Sequence, residues 1–118
     1  MSILSTMKFH HYGVPTVGPL PDETYLPHLK LAVSGFGRNE YGIERMRFDP
    51  DADYPELVKT VPHLAFEVDD LEAALRGKKL LIAPNSPSPG VLVAFIEEDG
   101  IPLEFLQITR NPASGKVR

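Results

Sequence analysis

The stretch that decides the fold is Val61-Pro62-His63-Leu64-Ala65-Phe66-Glu67-Val68-Asp69-Asp70-Leu71. Residues 61–68 alternate as in a half-buried strand. Asp69 or Asp70 then provides the N-cap of a helix over 71–76, and Gly77 ends it. The rest of this half predicts three more strands, at 79–83, 91–97 and 101–108, with a rigid loop at 84–90 and an Asp99-Gly100 hairpin turn.

The first half repeats this pattern with its helix shrunk. It predicts strands at 8–14, 28–33 and 41–48, a proline-rich loop at 15–22 and one helical turn from Asp22 to Tyr25. Taking the first half as the same four-stranded unit as the second, we predict an α+β fold in which two βαβββ modules, the first with a shortened helix, form a curved, mixed eight-stranded sheet. One domain spans 1–118, with module one at about 7–50, module two at about 60–109 and a tail at 110–118.

Bulk composition excludes several classes of function. The chain has 118 residues, a net charge of -4 and no cysteine. The missing cysteines exclude a disulfide framework and a thiolate metal site. The charge argues against a nucleic-acid partner, and no apolar run reaches the roughly 20 residues of a membrane span. The start lacks the features of a signal peptide, so we expect a cytoplasmic protein.

Each half places one histidine on an early strand and one glutamate on a late strand: His11 with Glu44, and His63 with Glu104. Strand alternation puts Glu104 on the face of Leu106 and Ile108. It puts Glu44 with Met46 and Phe48, His63 with Ala65, and His11 with Phe9 and Gly13, while His10 points the other way. An ionised carboxylate on an apolar face is costly unless it is paired or bound to a cation.

If a pseudo-twofold axis relates the halves, these four side chains meet near it. Imidazole and carboxylate ligands suit a divalent zinc, nickel, iron, manganese or cobalt ion. The residues alone leave other readings open. Glu44 could pair with Arg38, Arg45 or Lys30, and Glu104 could lie on a solvated sheet edge. A lone strand histidine is more often a surface or hydrogen-bonded residue than a metal ligand.

The segments 61–71 and 90–107, together with His11-Tyr12-Gly13-Val14, resemble the vicinal oxygen chelate superfamily of glyoxalases, bleomycin-resistance proteins and extradiol dioxygenases. The resemblance implies a cupped sheet around a cavity that holds one divalent metal ion. The ligands come from the first and last strands of each module, which by position implies His11, Glu44, His63 and Glu104.

The same resemblance implies an enzyme, either a lyase or isomerase of the glyoxalase type or a dioxygenase, that acts on a small molecule with vicinal oxygens. The metal is a Lewis acid in this family, and Glu104 or Glu44 is the candidate catalytic base. A homodimer is also implied. The alternative is a metal-free protein of the bleomycin-resistance type that binds and sequesters a small molecule.

Overall fold

The computed structural model describes the backbone of residues 7–111 and 116–117, with side chains through Thr109. Eight strands form the main sheet: β1 (Met7–Pro15), β2 (Thr24–Leu26), β3 (Leu31–Ser34), β4 (Ile43–Phe48), β5 (His63–Val68), β6 (Lys79–Ser88), β7 (Val91–Glu98) and β8 (Ile101–Ile108). There are two short helices in the described chain, α1 (Glu56–Thr60) and α2 (Leu71–Leu75).

The predicted tail is partly structured. Strands β9 (Arg110–Asn111) and β10 (Lys116–Val117) pair in a separate two-stranded sheet. The rest of the tail, residues 112–115 and 118, lies outside the described residues.

The strand order of the main sheet is β2-β3-β4-β1-β5-β8-β7-β6. Equivalent strands of the two halves occupy equivalent positions on either side of the sheet centre. The opening strand of each half pairs in parallel with the closing strand of that half, β1 with β4 and β5 with β8. The two opening strands pair antiparallel at the centre. The predicted α+β fold with a mixed, curved eight-stranded sheet is confirmed, and its centre is the seam between the halves.

The helix of the second half forms as the sequence predicts. The Asp70 side chain accepts a hydrogen bond from the Ala73 backbone N–H at 3.2 Å, and Gly77 follows α2 with a φ of 72°. In the first half, the described residues 16–23 contain a turn and no helix. The helical turn predicted from Asp22 is wrong, because Asp22 has a φ of 47° that a right-handed helix cannot continue, and β2 follows directly.

The predicted loop at 84–90 is also wrong over most of its length. Strand β6 continues through Pro84 and Pro87 to Ser88. Proline is tolerated here because β6 is an edge strand, and its pairing with β7 shifts register three times. The extra length carries this edge over the concave side of the sheet, where the His28 imidazole meets the Pro87 carbonyl across 3.2 Å. His28 lies in the turn between β2 and β3, so the two edge regions of the sheet touch.

The sheet has two apolar faces. The convex face packs against α2 through buried residues that include Val68, Leu71 and Phe105. On the concave face a smaller cluster forms around Ala65, Val93 and Leu106. Within residues 7–111 and 116–117, no helix is long and apolar enough to span a membrane.

Strand β1 contains a β-bulge that the sequence did not indicate. Phe9 pairs with Phe66 and His11 pairs with Ala65, so that His10 is the extra residue. The Phe9 ring accordingly packs edge-on against Phe66, which belongs to the convex core. The prediction that His11 shares a face with Phe9 and that His10 points away is wrong, because strict alternation fails across a bulge.

Candidate metal centre

Three of the four residues singled out by the repeat lie together on the concave face. His11, His63 and Glu104 come from the neighbouring strands β1, β5 and β8. Ala65 pairs with His11 on one side and with Glu104 on the other, and its methyl group leaves room between them. His63 precedes Ala65 by two residues and therefore points to the same face. Both histidines and Glu104 are buried.

The distances between these side chains fit a shared cation. Glu104 Oε1 lies 3.1 Å from His63 Nε2 and 3.3 Å from His11 Nε2, and the two Nε2 atoms are 3.4 Å apart. Ligand atoms about 2.0–2.2 Å from one ion are themselves separated by roughly 3.0–3.5 Å. The three residues can therefore hold a metal ion.

The burial of His63 also fits such a role. Its ring is fully buried, yet Nδ1 has no hydrogen-bond partner among the described residues. An unsatisfied buried polar atom costs about 1–3 kcal/mol. The other ring nitrogen, Nε2, faces His11 and Glu104, so the ring is held with that atom toward the group.

Glu44 lies at the border of this group. It belongs to β4, pairs with Gly13 in β1, and places Oε1 3.6 Å from His11 Nε2. Its side chain is 18% exposed. Lys30 and Arg38, two cations that could have paired with it, instead form ion pairs with Asp51 and Asp22.

The pKa values of the Glu104 and Glu44 carboxyl groups are shifted in opposite directions. Burial of Glu104 opposes its ionisation, but hydrogen bonds from His11 and His63 outweigh burial and lower its pKa to about 2. Burial raises the pKa of Glu44, although the nearby His11 partly counteracts this. Glu104 is thus held as an anion, whereas Glu44 takes up a proton more readily than an ordinary glutamate.

The imidazole of His63 fits because its neighbour on β1 is a glycine. A Cβ built on Gly13 would lie 2.2 Å from His63 Cε1. Phe95 of β7 packs edge-on against the same ring, with the ring centroids 5.0 Å apart. Gly13 was part of the quoted motif, and a glycine inside a strand is a known signal of close approach, so this role was readable from the sequence.

The structure adds His10 to the surroundings of the site. Its Nδ1 lies 2.7 Å from His11 Nδ1, and its ring stacks on Phe36 with centroids 5.1 Å apart and planes 15° apart. Burial, together with the neighbouring His11, lowers the pKa of His10. Sequence reasoning missed these contacts because they depend on the β-bulge.

A cavity of about 200 Å³ opens beside the metal-binding group. His11, Glu44 and Glu104 form its polar end. Most of its wall is apolar, and no lysine or arginine of the described chain lines it. Apolar lining residues come from both halves and include Leu31, Met46, Phe48, Ile82, Val93 and Phe95.

Comparisons with known proteins extend to the fold alone. No protein-family model matches the sequence, and no curated protein matches it significantly. Solved structures do match. A hypothetical protein from Bacillus halodurans C-125 has a TM-score of 0.65 and 16% identity, over 89% of this chain and 96% of the other. Methylmalonyl-CoA epimerase from Mycobacterium tuberculosis has a TM-score of 0.59 and 19% identity, over 90% and 91%. The chain shares their fold.

Proposed function

We propose that this chain is a metal-dependent enzyme of the vicinal oxygen chelate superfamily, acting on a small molecule with two adjacent oxygens. The observation that carries the proposal is the convergence of His11, His63 and Glu104 within 3.1–3.4 Å of one another at the end of a cavity. When bound there, a divalent ion would supply a Lewis acid that polarises substrate oxygens.

The cavity supports a compact, largely apolar substrate. Its volume of about 200 Å³ lies below the roughly 300–1,000 Å³ of drug-sized ligand sites. A polyanionic group, such as the coenzyme A part of the epimerase substrate, would find no cationic partner inside it. The oxygens of the substrate would face His11, Glu44 and Glu104, and its carbon skeleton would contact the aliphatic wall.

Glu44 is the better placed of the two candidate bases. A base works best when its pKa lies near the working pH. Glu44 lines the cavity but lies outside the group of three that can hold a cation, and burial raises its pKa. Glu104 belongs to that group and contacts both histidines. We assign proton transfer next to a substrate carbonyl to Glu44, and cation binding to Glu104 with the two histidines. An epimerase, as one structural neighbour is named, needs proton transfer of this kind.

The alternative is a protein that sequesters an apolar molecule without a metal. The apolar cavity on its own would serve that function equally well. An apolar ligand gives no role to the two histidines and the glutamate buried in mutual contact, whose desolvation is costly.

Elemental analysis of the protein, purified without a histidine tag and then supplied with zinc, nickel, iron, manganese or cobalt, would separate the two. We expect about one ion per chain, removed by a chelator. The metal-loaded protein is then screened against α-keto aldehydes, catechols and carbonyl compounds whose α-hydrogen exchanges with deuterium. Chelator should abolish turnover, and Glu44→Gln should abolish deuterium exchange while keeping the ion.

His28→Ala is the control for metal uptake. It removes a histidine outside the metal-binding group and should bind as much metal as the parent protein. A parent protein that takes up none of the five metals would disprove the enzyme proposal. Ligand binding that persists unchanged in chelator would then identify a sequestering protein.

A further inference from the structure

We propose that His10 is a positioning residue that fixes the tautomer and orientation of His11, so that His11 presents Nε2 to the cation. This inference rests on the proposed metal-dependent function. It assigns a role to a residue that does not itself face the cavity.

The β-bulge is the structural cause. Because β1 holds one extra residue between Phe9 and His11, the His10 and His11 side chains do not point to opposite faces. Their rings meet edge-on with centroids 5.0 Å apart, and the two Nδ1 atoms are 2.7 Å apart. In a regular strand, consecutive side chains alternate and such a contact does not form.

The chemistry of imidazole gives this contact its meaning. A neutral imidazole carries its proton on one ring nitrogen and a lone pair on the other. To bind a cation through Nε2, His11 must carry its proton on Nδ1, and not on the Nε2 that donates to Glu104 when no cation is bound. His10 Nδ1 is the atom placed to accept that proton in a hydrogen bond. Ligating histidines commonly donate in this way to an acceptor outside the ligand set, which sets the tautomer and ring orientation.

The His10 ring is also packed against a neighbouring turn. Phe36, in the turn between β3 and β4, stacks on it nearly in parallel and also touches the edge of His11. The Tyr12 backbone N–H donates to the Gly42 carbonyl at 2.7 Å, which ties the end of the same turn to β1. Backbone and ring contacts thus set the angle from which His10 meets His11.

Two substitutions separate the hydrogen bond from the packing. His10→Phe keeps a flat ring against Phe36 but removes the acceptor. His10→Asn places a carbonyl oxygen near the position of Nδ1 and so retains an acceptor. Affinity for cobalt and zinc is measured by competition titration, the fold by circular dichroism, and the tautomer of His11 by long-range ¹⁵N–¹H NMR of the zinc-loaded protein.

We expect His10→Phe to weaken metal binding about 10–100-fold, the usual effect of losing such a partner. His10→Asn should remain within about threefold of the parent, and His28→Asn should have no effect. NMR should show the His11 proton on Nδ1 in the zinc-loaded parent.

Three results would overturn the proposal: unchanged affinity in His10→Phe, equal losses in the Phe and Asn variants, or a zinc-loaded His11 protonated on Nε2. Each leaves the proposed function standing, since the parent still binds metal. A parent that binds no metal removes both proposals together.

Discussion

The two halves of the molecule each contribute one histidine and one glutamate to the concave face, but they hold them differently. In the second half, His63 is fully buried between Gly13 and Phe95, and Glu104 is kept ionised by both histidines. In the first half, His11 Nδ1 contacts His10 Nδ1, and Glu44 is partly exposed and has a raised pKa. The same pair of residue types is thus more deeply buried in the second half than in the first.

This difference follows from what surrounds each pair. The second half has a helix packed on its convex face and long, well-paired strands β7 and β8. The first half has no helix among its described residues, and its edge strand β2 is only three residues long. We infer that the second half supplies two of the three groups that can hold a cation, His63 and Glu104, while the first half supplies the third, His11, and the cavity-lining Glu44.

The largest expected effect comes from removing a histidine. His63→Ala and His11→Ala should each weaken metal affinity by at least about 100-fold. Loss of a residue that only hydrogen-bonds to a ligand typically costs about 10–100-fold, and loss of the ligand itself should cost more. Isothermal titration with zinc or nickel measures this, and circular dichroism reports whether the fold persists. If His63→Ala binds metal as tightly as the parent, the assignment of the site is wrong.

The second largest effect should come from a methyl group at Gly13, which would meet the ring of His63. The Cβ of Gly13→Ala would overlap the His63 ring, and such overpacking typically costs about 1–3 kcal/mol. We expect a lower melting temperature and at least tenfold weaker metal binding. Gly77→Ala, just after α2, is the control: its φ of 72° strains an alanine, but nothing lies within 4 Å of the new Cβ. It should lose stability and keep metal affinity, so equal affinity losses in both would contradict the steric explanation.

The smallest effect concerns the two glutamates in the metal-free protein. A carboxyl whose pKa is raised on folding destabilises the fold above that pKa, and the penalty disappears below the unfolded value of 4.5. Glu44→Gln should therefore raise the melting temperature at pH 7 and give no gain near pH 4.

Ionisation of Glu104 has the opposite effect on stability. Its lowered pKa contributes stability that is present above the unfolded value of 4.5 and is lost as the pH falls toward 2. Glu104→Gln should therefore lower the melting temperature at pH 7. Scanning fluorimetry in chelator, from pH 3 to pH 8, measures both variants. Shifts of the same sign at pH 7 would contradict the contrast drawn between the halves.

Much of the fold could be predicted because local signals agreed with the tertiary structure. The cap at Asp70, the stop at Gly77 and the Asp99-Gly100 turn each fix the backbone locally, and each is present. The errors lie where tertiary context overrides composition. Pro84 and Pro87 suggested a loop, yet a sheet edge accepts them because its outer N–H groups need no strand partner.

The site was predictable to the extent that alternation holds. His63, Glu104 and Glu44 lie on regular stretches of strand, so the parity argument grouped each with the strand neighbours that share its face. His11 reaches the concave face as well, but the residues before it do not follow the same count, because the bulge shifts them by one. No composition signal marks that extra residue, so the contact of His10 with His11 was beyond sequence reasoning.

Ala65 gives a practical means of sorting related sequences. It is completely enclosed, and its strand neighbours on either side are His11 and Glu104. Directly opposed side chains on paired strands sit only about 4.5–5.5 Å apart at Cβ. A valine or leucine at this position would push the imidazole and the carboxylate apart, even in a homologue that retains both histidines and the glutamate. Searches for related chains that could hold a cation in this way should therefore screen for a small residue here as well as for the two histidines and the glutamate.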